Sequence, residues 1–268
     1  YTFSDNPEYM PSRNVLVTNC IFDNNRTNGL SITDGEDIIV ENCTMYRSGA
    51  NTPNSIARAP RIGIVIEPVT GQKVDGVIIR NNTVEETGGK NSILVALGND
   101  VLITGNSADK TVGWTSSSNI SVINNPGLNG GIIAGFNGDY ALSKSINNIV
   151  SGNTITGANT GIYATNDDIK IYDNKIINCL VGMQLVNLKD SEIYDNTITS
   201  DEIGLYGFRA QTSLNNVLIH NNTVTLEDGR AIGLQGINDD ALYDAYSFGL
   251  KDNKFESGKA SIISDLRG

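Results

Sequence analysis

An all-β solenoid is the fold class this chain predicts, on three observations. The first is a pair, Asn-Asn or Gly/Asp-Asn, followed by a small residue and then an apolar one. It recurs as Asn81-Asn82-Thr83-Val84, Gly152-Asn153-Thr154-Ile155, Asp173-Asn174-Lys175-Ile176, Asp195-Asn196-Thr197-Ile198, Asn221-Asn222-Thr223-Val224 and Asp252-Asn253-Lys254-Phe255. Gly105-Asn106-Ser107-Ala108 is a weaker copy, and Asn19-Cys20 and Asn42-Cys43 put Cys where the second Asn belongs. The second is a short aliphatic run before each pair, such as Val77-Ile78-Ile79-Arg80 or Val217-Leu218-Ile219-His220. The third is composition. At 39% hydrophobic and 18% charged, with 28 Gly, the chain is too apolar for disorder and suits sheet. Self-similarity at a period in the twenties is the signature of a repeat architecture.

Each element of the coil follows from the repeat. The markers are spaced about 26 residues apart on average. Their irregular spacing suits a three-faced coil whose turns vary in length while its strands do not. In the first strand, period-2 alternation places Val15, Val17, Val77, Ile79, Ile169, Ile171, Val217 and Ile219 inside. Asn at the bend tolerates left-handed geometry, and stacked Asn side chains can bond from rung to rung, so the Asn columns are read as scaffold. A second strand starts near Gly, at Gly29, Gly63, Gly161, Gly182 and Gly204, and is expected to bury Leu30, Ile32, Ile64, Ile66, Ile162, Met183, Leu185 and Leu205. About ten such coils with Asn ladders, in one domain over residues 1–268, is the expected architecture. The chain enters the repeat almost directly from Tyr1, and a solenoid needs a cap over its first coil, so a fragment of a longer chain is expected.

Composition also excludes some functions. A net charge of −11 disfavours nucleic acid, and it disfavours polyanionic sugars unless a local basic patch or a bridging cation intervenes. No run approaches a membrane span. Cys20 and Cys43 occupy equivalent positions on neighbouring coils and read as two small buried thiols; a disulfide is the minor alternative, because stacked strands hold their Cβ vectors parallel. No metal site is expected from the three Cys and the single His.

The repeat resembles the right-handed parallel β-helix of the pectate-lyase-like superfamily over nearly the whole chain. The stretch from Cys20 to Ile32, then Ile38–Thr44, then Gly63-Ile64-Val65-Ile66-Glu67-Pro68, is similar to a block of phage tail-associated and epimerase-like β-helix proteins. In those relatives the last element commonly reads Gly-Ile-Asp-Ile-Glu-Pro, and Val65 here replaces the Asp. The resemblance implies an extracellular or virion (phage tail) location, a polysaccharide partner, cleavage by hydrolysis or β-elimination, and a homotrimer if the protein is tailspike-like. The competing reading is a non-enzymatic shaft or adhesin. It is favoured by what is missing: the His-Gly and Arg-x-Lys elements of polygalacturonases, the Asp-Pro-His-Glu of alginate epimerases, and the Gly-Gly-x-Gly-x-Asp calcium repeat.

Site candidates come from departures from the repeat. The longest interval, between Cys43 and Asn82, carries Arg47, Arg58 and Arg61. Arg58 and Arg61 would meet a sugar carboxylate, or else pair with surface acids. Glu67 and Asp34, on adjacent coils, are the acid/base candidates. The same carboxylates offer hard oxygen ligands for Ca²⁺, the one cofactor entertained; the alternative is solvated acids at strand ends. Tyr163, Gln184, Tyr206, Phe208 and Arg209 are expected on one outward surface, a platform for sugar rings or for a neighbouring subunit. Tyr172, Tyr194 and His220 align on consecutive coils, and the Asp-rich turns at 166–168 and 238–240 read as ordinary solvated turns.

Overall fold

The structure, a computed structural model, describes residues 9–53, 56–135, 145–201, 204–235, 246–258 and 262–265. It is a parallel β-helix. One coil runs through Val74–Arg80, Thr83–Glu85 and Asn91–Ala96, and the next through Asn99–Thr104, Ser107–Ala108 and Thr111–Thr115. The second strands of the coils stack into a ten-stranded sheet. The first and third strands join in an 18-stranded sheet, because Val181–Tyr194 and Tyr206–His220 run unbroken from the third face of one coil into the first face of the next.

Three apolar columns fill the interior. On the second face, Phe22, Met45, Val84, Ala108, Leu128, Ile155, Ile176, Ile198, Val224 and Phe255 stand in register. On the first, Val17, Val40, Ile79, Ile103, Val122, Val150, Ile171, Ile193 and Ile219 do so. On the third, Ile64, Ile93, Val112, Ile132, Ile162, Met183, Phe208 and Ile232 stack. Each buried aliphatic side chain stabilises the fold by roughly 1.5–3 kcal/mol. Volume is matched between rungs: Trp114 is fully buried in register with Ala134, whose small side chain leaves space for the indole.

The repeated pair divides its labour. Its first member takes the left-handed conformation: Asn81, Asp173, Asp195, Asn221 and Asp252 have φ of 55°, 55°, 54°, 54° and 53°, and Gly105 and Gly152 supply the same turn. Its second member is buried and builds the ladder. Asn82 N–H and Nδ2 both donate to Asn106 Oδ1 (2.9 and 3.1 Å), and Asn82 Nδ2 also reaches Val40 O (3.0 Å). The pattern repeats through Asn125, Asn153, Asn174, Asn196, Asn222 and Asn253. Each rung satisfies backbone groups at a tight bend that would otherwise be buried without partners.

Four expectations change. Phe208 lies in the core and Leu205 is 51% exposed, the reverse of the expected placement. The residue in register with Gly161 and Gly182 is Gly207, not Gly204; a Cβ at Gly182 would lie 2.6 Å from Gly207 O. Strand alternation therefore starts three residues later than the Gly204 reading assumed. Cys20 is exposed rather than buried, because it sits on the first coil, whereas Cys43 beneath it is buried; all three thiols are free. Cys43 heads the ladder, its N–H donating to Asn82 Oδ1 (2.9 Å) and its thiol to Glu41 O (3.1 Å). Burial raises the Cys43 and Cys179 thiol pKa values above the ordinary range. Val65 holds the outward register between Ser31 and Leu94, as expected, but is 1% exposed, so that stretch of the face is not open.

Candidate functional site

On the outer surface of the third face equivalent positions diverge widely. Its central column reads Ser31, Val65, Leu94, Gly113, Ile133, Tyr163, Gln184, Arg209 and Gly233. Tyr163, Gln184 and Arg209 thus sit on three consecutive rungs. Gln184 Nε2 donates to Gln211 Oε1 (2.7 Å). Tyr206 stands one column aside, in register with Val181, but its ring reaches across Gly233, where a Cβ would come within 2.5 Å of Cε1. The Arg209 guanidinium lies 5.7 Å from the centre of that ring. The four expected substrate-binding residues Tyr163, Gln184, Tyr206 and Arg209 therefore share one surface.

Beside Tyr163 opens a groove of about 450 Å³, whose walls include Lys90, Lys110, Gly130, Ile133 and Thr160. At one wall a Cβ on Gly130 would lie 2.1 Å from the Lys110 carbonyl carbon, so the close packing of these two rungs requires glycine there. Residue-by-residue reading missed this groove, because it depends on which glycines fall on adjacent rungs. Neither lysine departs from the repeat in a way the sequence alone marks.

The acid/base candidates lie elsewhere on the same face. Glu67 is exposed at a strand end, its N–H donating to Ile32 O (3.0 Å). Past the strand ends the register slips, since Val69 N–H donates to Thr33 O (3.4 Å). The Asp34 carboxylate accepts the Tyr9 hydroxyl. Val65 is four rungs from Tyr163, roughly 19 Å along the axis. In the long insertion, Arg47 is ion-paired with Asp23 and lies over the Tyr46 ring, while Arg58 is exposed and in no ion pair among the described residues. Arg61 packs its stem on the backbones of Gly49 and Gly88 and has φ of 64°.

The first face carries the aromatic trio. Tyr172 and Tyr194 stack with ring centres 4.9 Å apart and 7° between planes, and Tyr194 and His220 with 5.1 Å and 5°. His220 Nε2 meets Glu192 Oε1 at 3.0 Å. Burial, then the neighbouring Tyr172 and Glu192, push the Tyr194 hydroxyl above its ordinary pKa. In the turn at 166–168, Asn166 is buried and Asp168 is exposed with φ of 51°. The companion turn at 238–240 lies outside the described residues.

Fold and surface together define a solenoid whose scaffold is repetitive and whose outer third face holds aromatic, amide and cationic groups. Residues 50–230 match the family model described as "Periplasmic copper-binding protein (NosD)", and the chain belongs to that family of right-handed parallel β-helix proteins. It is similar to uncharacterized protein YclG of Bacillus subtilis (strain 168), with 27% identity over 248 residues, 84% of this chain and 40% of YclG. It therefore spans two fifths of that relative's length. Among solved structures it is similar to PfbA, a surface adhesin of Streptococcus pneumoniae: TM-score 0.53 and 12% identity over 88% of this chain and 74% of that one. A second PfbA structure gives the same TM-score and identity over 93% and 91%. The enzymatically active domain of bacteriophage CBA120 tailspike protein 2 matches more loosely, at TM-score 0.45 and 16% identity over 88% and 37%.

The family description raises the question of copper, and the residues present do not fit it. Copper(I) selects thiolates and thioethers, and copper(II) selects imidazole. Cys43, Cys179, Met45 and Met183 are all buried in the core; Cys20 and Met10 are exposed, but the thiol stacked on Cys20 is the buried Cys43. The imidazole of His220 faces Glu192. Among the described residues no three His, Cys, Asp or Glu converge.

Proposed function

We propose that this β-helix binds carbohydrate on the outer surface of its third face, as an adhesin-like module outside the cytoplasm. The observation that carries the reading is the Tyr163, Gln184 and Arg209 column beside the groove. Rigid strands hold these side chains at a fixed rung spacing, which lowers the entropy lost on binding an extended chain. Tyr gives an apolar body with a polar tip, and Gln and Arg supply hydrogen bonds to ring hydroxyls. The location is supported by the periplasmic description of the family and by the surface adhesin among similar folds.

A second reading adds cleavage of the bound chain, by hydrolysis or β-elimination. Glu67 and Asp34 would then be the acid and base, with Arg58 and Arg61 holding a sugar carboxylate. What favours it is that Glu67 is exposed on the same face as Tyr163. Among the described residues the groove lining holds no carboxylate, which favours binding alone.

The test is incubation with neutral and acidic polysaccharides, following binding, chain length and ultraviolet absorbance of unsaturated ends, for wild type, Tyr163→Ala and Glu67→Gln. Binding weakened by Tyr163→Ala, with no shortening, supports the adhesin-like reading. Shortening abolished by Glu67→Gln supports cleavage. A wild type that retains no polysaccharide of the panel sinks both. The tailspike-like version further requires a parallel homotrimer, and a stable monomer by light scattering counts against it.

A further inference from the structure

We infer that the groove beside Tyr163 is a subsite for an anionic group, carboxylate or sulfate, on an acidic polysaccharide, a deepening that rests on the sugar-binding reading above. Lys90 and Lys110 stand on successive rungs: Asn91 and Thr111 are paired in register, and Thr111 N–H donates to Lys90 O (3.3 Å). Their backbones are about 4.8 Å apart. Both side chains are exposed, and neither is in an ion pair among the described residues. The carboxylate next to Lys110 is engaged elsewhere, since Asp109 accepts Glu86 N–H (2.8 Å) and Ser92 Oγ–H (3.0 Å).

Two ammonium groups one rung apart repel each other. In a chain with 30 acidic against 19 basic residues, two adjacent lysines outside any ion pair among the described residues make a locally cationic spot. The next position along is Gly130, which lines the same groove as both lysines. Ile133, Thr160 and Tyr163 complete the groove. A sugar ring against Tyr163 would have an apolar contact on one side and two cations on the other. Lysine acts as a point charge on a flexible stem, so carboxylate and sulfate esters are both accommodated. This is the local basic patch that an acidic chain needs before it can hold a polyanion.

The experiment measures binding by calorimetry to matched polymers: polygalacturonate against its full methyl ester, and dextran sulfate against dextran. Wild type is compared with the Lys90→Gln/Lys110→Gln double variant and with Tyr163→Ala. The expected result is about ten-fold tighter binding of a charged member than of its neutral partner at low salt, as two partly exposed ion pairs allow. That preference shrinks with added NaCl and is lost in the double lysine variant, while Tyr163→Ala weakens binding to both members. The polygalacturonate pair reads out carboxylate and the dextran sulfate pair reads out sulfate; preference in either supports the subsite and names its anion. Binding without charge preference, or preference that survives loss of both lysines, overturns the subsite and leaves sugar binding standing. No binding to any polymer overturns the sugar-binding reading as well.

Discussion

The inner turn and the outer column of the third face are built on the same rungs, yet they behave oppositely. At the turn, Asn82 through Asn253 repeat one side chain with one bonding pattern. In the outer column, Val65, Leu94, Gly113, Ile133, Tyr163, Gln184 and Arg209 share a position and almost nothing else. The difference teaches where to look in a solenoid. Buried positions all solve the same problem, namely satisfying a backbone bend and filling a column, so they converge. Outer positions are free of that constraint, and their variation is where a ligand is recognised.

The largest expected effect tests the register that separates the two regions. Phe208→Ala should cost about 3–5 kcal/mol in denaturant unfolding, whereas Leu205→Ala should change stability by less than about 0.5 kcal/mol. The reverse order would mean that Gly204 begins the strand after all. Next comes the ladder. Asn153→Ala removes the acceptor for Asn125 N–H (3.1 Å) and a donor to Val122 O (2.8 Å), taking one partner from each of two buried groups. A loss of about 3 kcal/mol or more is expected from chemical denaturation; a loss under ~1 kcal/mol would show that the Asn columns are decoration.

The outer column should respond in function rather than stability. Tyr163→Ala is expected to lower polysaccharide affinity about ten-fold, near 1.4 kcal/mol, with unfolding unchanged within about 1 kcal/mol. Equal affinity with and without the ring would remove the platform. The smallest effect concerns acid. Burial raises the Asp75 carboxyl, but Lys73 (2.8 Å) and Asn99 Nδ2 (3.0 Å) outweigh it and hold the pKa below the usual carboxylate value. A depressed folded pKa contributes stability above the unfolded value, and that contribution disappears as pH falls through the folded one. Asp75→Asn should therefore flatten the stability-against-pH curve below about pH 4, slightly because the ion pair is partly exposed. An unchanged acid limb would show that the pair contributes nothing.

Much of the scaffold was legible in the residues. A left-handed Asn bend and a stacked Asn column were both readable from the repeat, while the structure assigned the bend to the first member of each pair and the column to the second. Alternation named the inner residues of the first face correctly. It failed at Leu205 and Phe208, where Gly204 and Gly207 are both available as the strand start and local sequence cannot choose between them. The choice falls to packing: only Gly207 allows the close approach to Gly182. Alternation also named Val65 as outward without revealing that it is buried. Tyr163, Gln184 and Arg209 were legible as outward residues, whereas Lys90 and Lys110 were not, because their adjacency comes from the pairing of two rungs about twenty residues apart.

By itself the amino-acid sequence determined the repeat, its strands and its Asn bends, since these follow from side-chain periodicity and backbone conformational preference, both local properties. Only the tertiary structure decided which rung stands over which. Varied turn lengths erase that register from the linear spacing, while hydrogen bonding and column packing restore it. The groove, the lysine pair and the shared surface of Tyr163 and Arg209 are consequences of that stacking, and they exist at no shorter range.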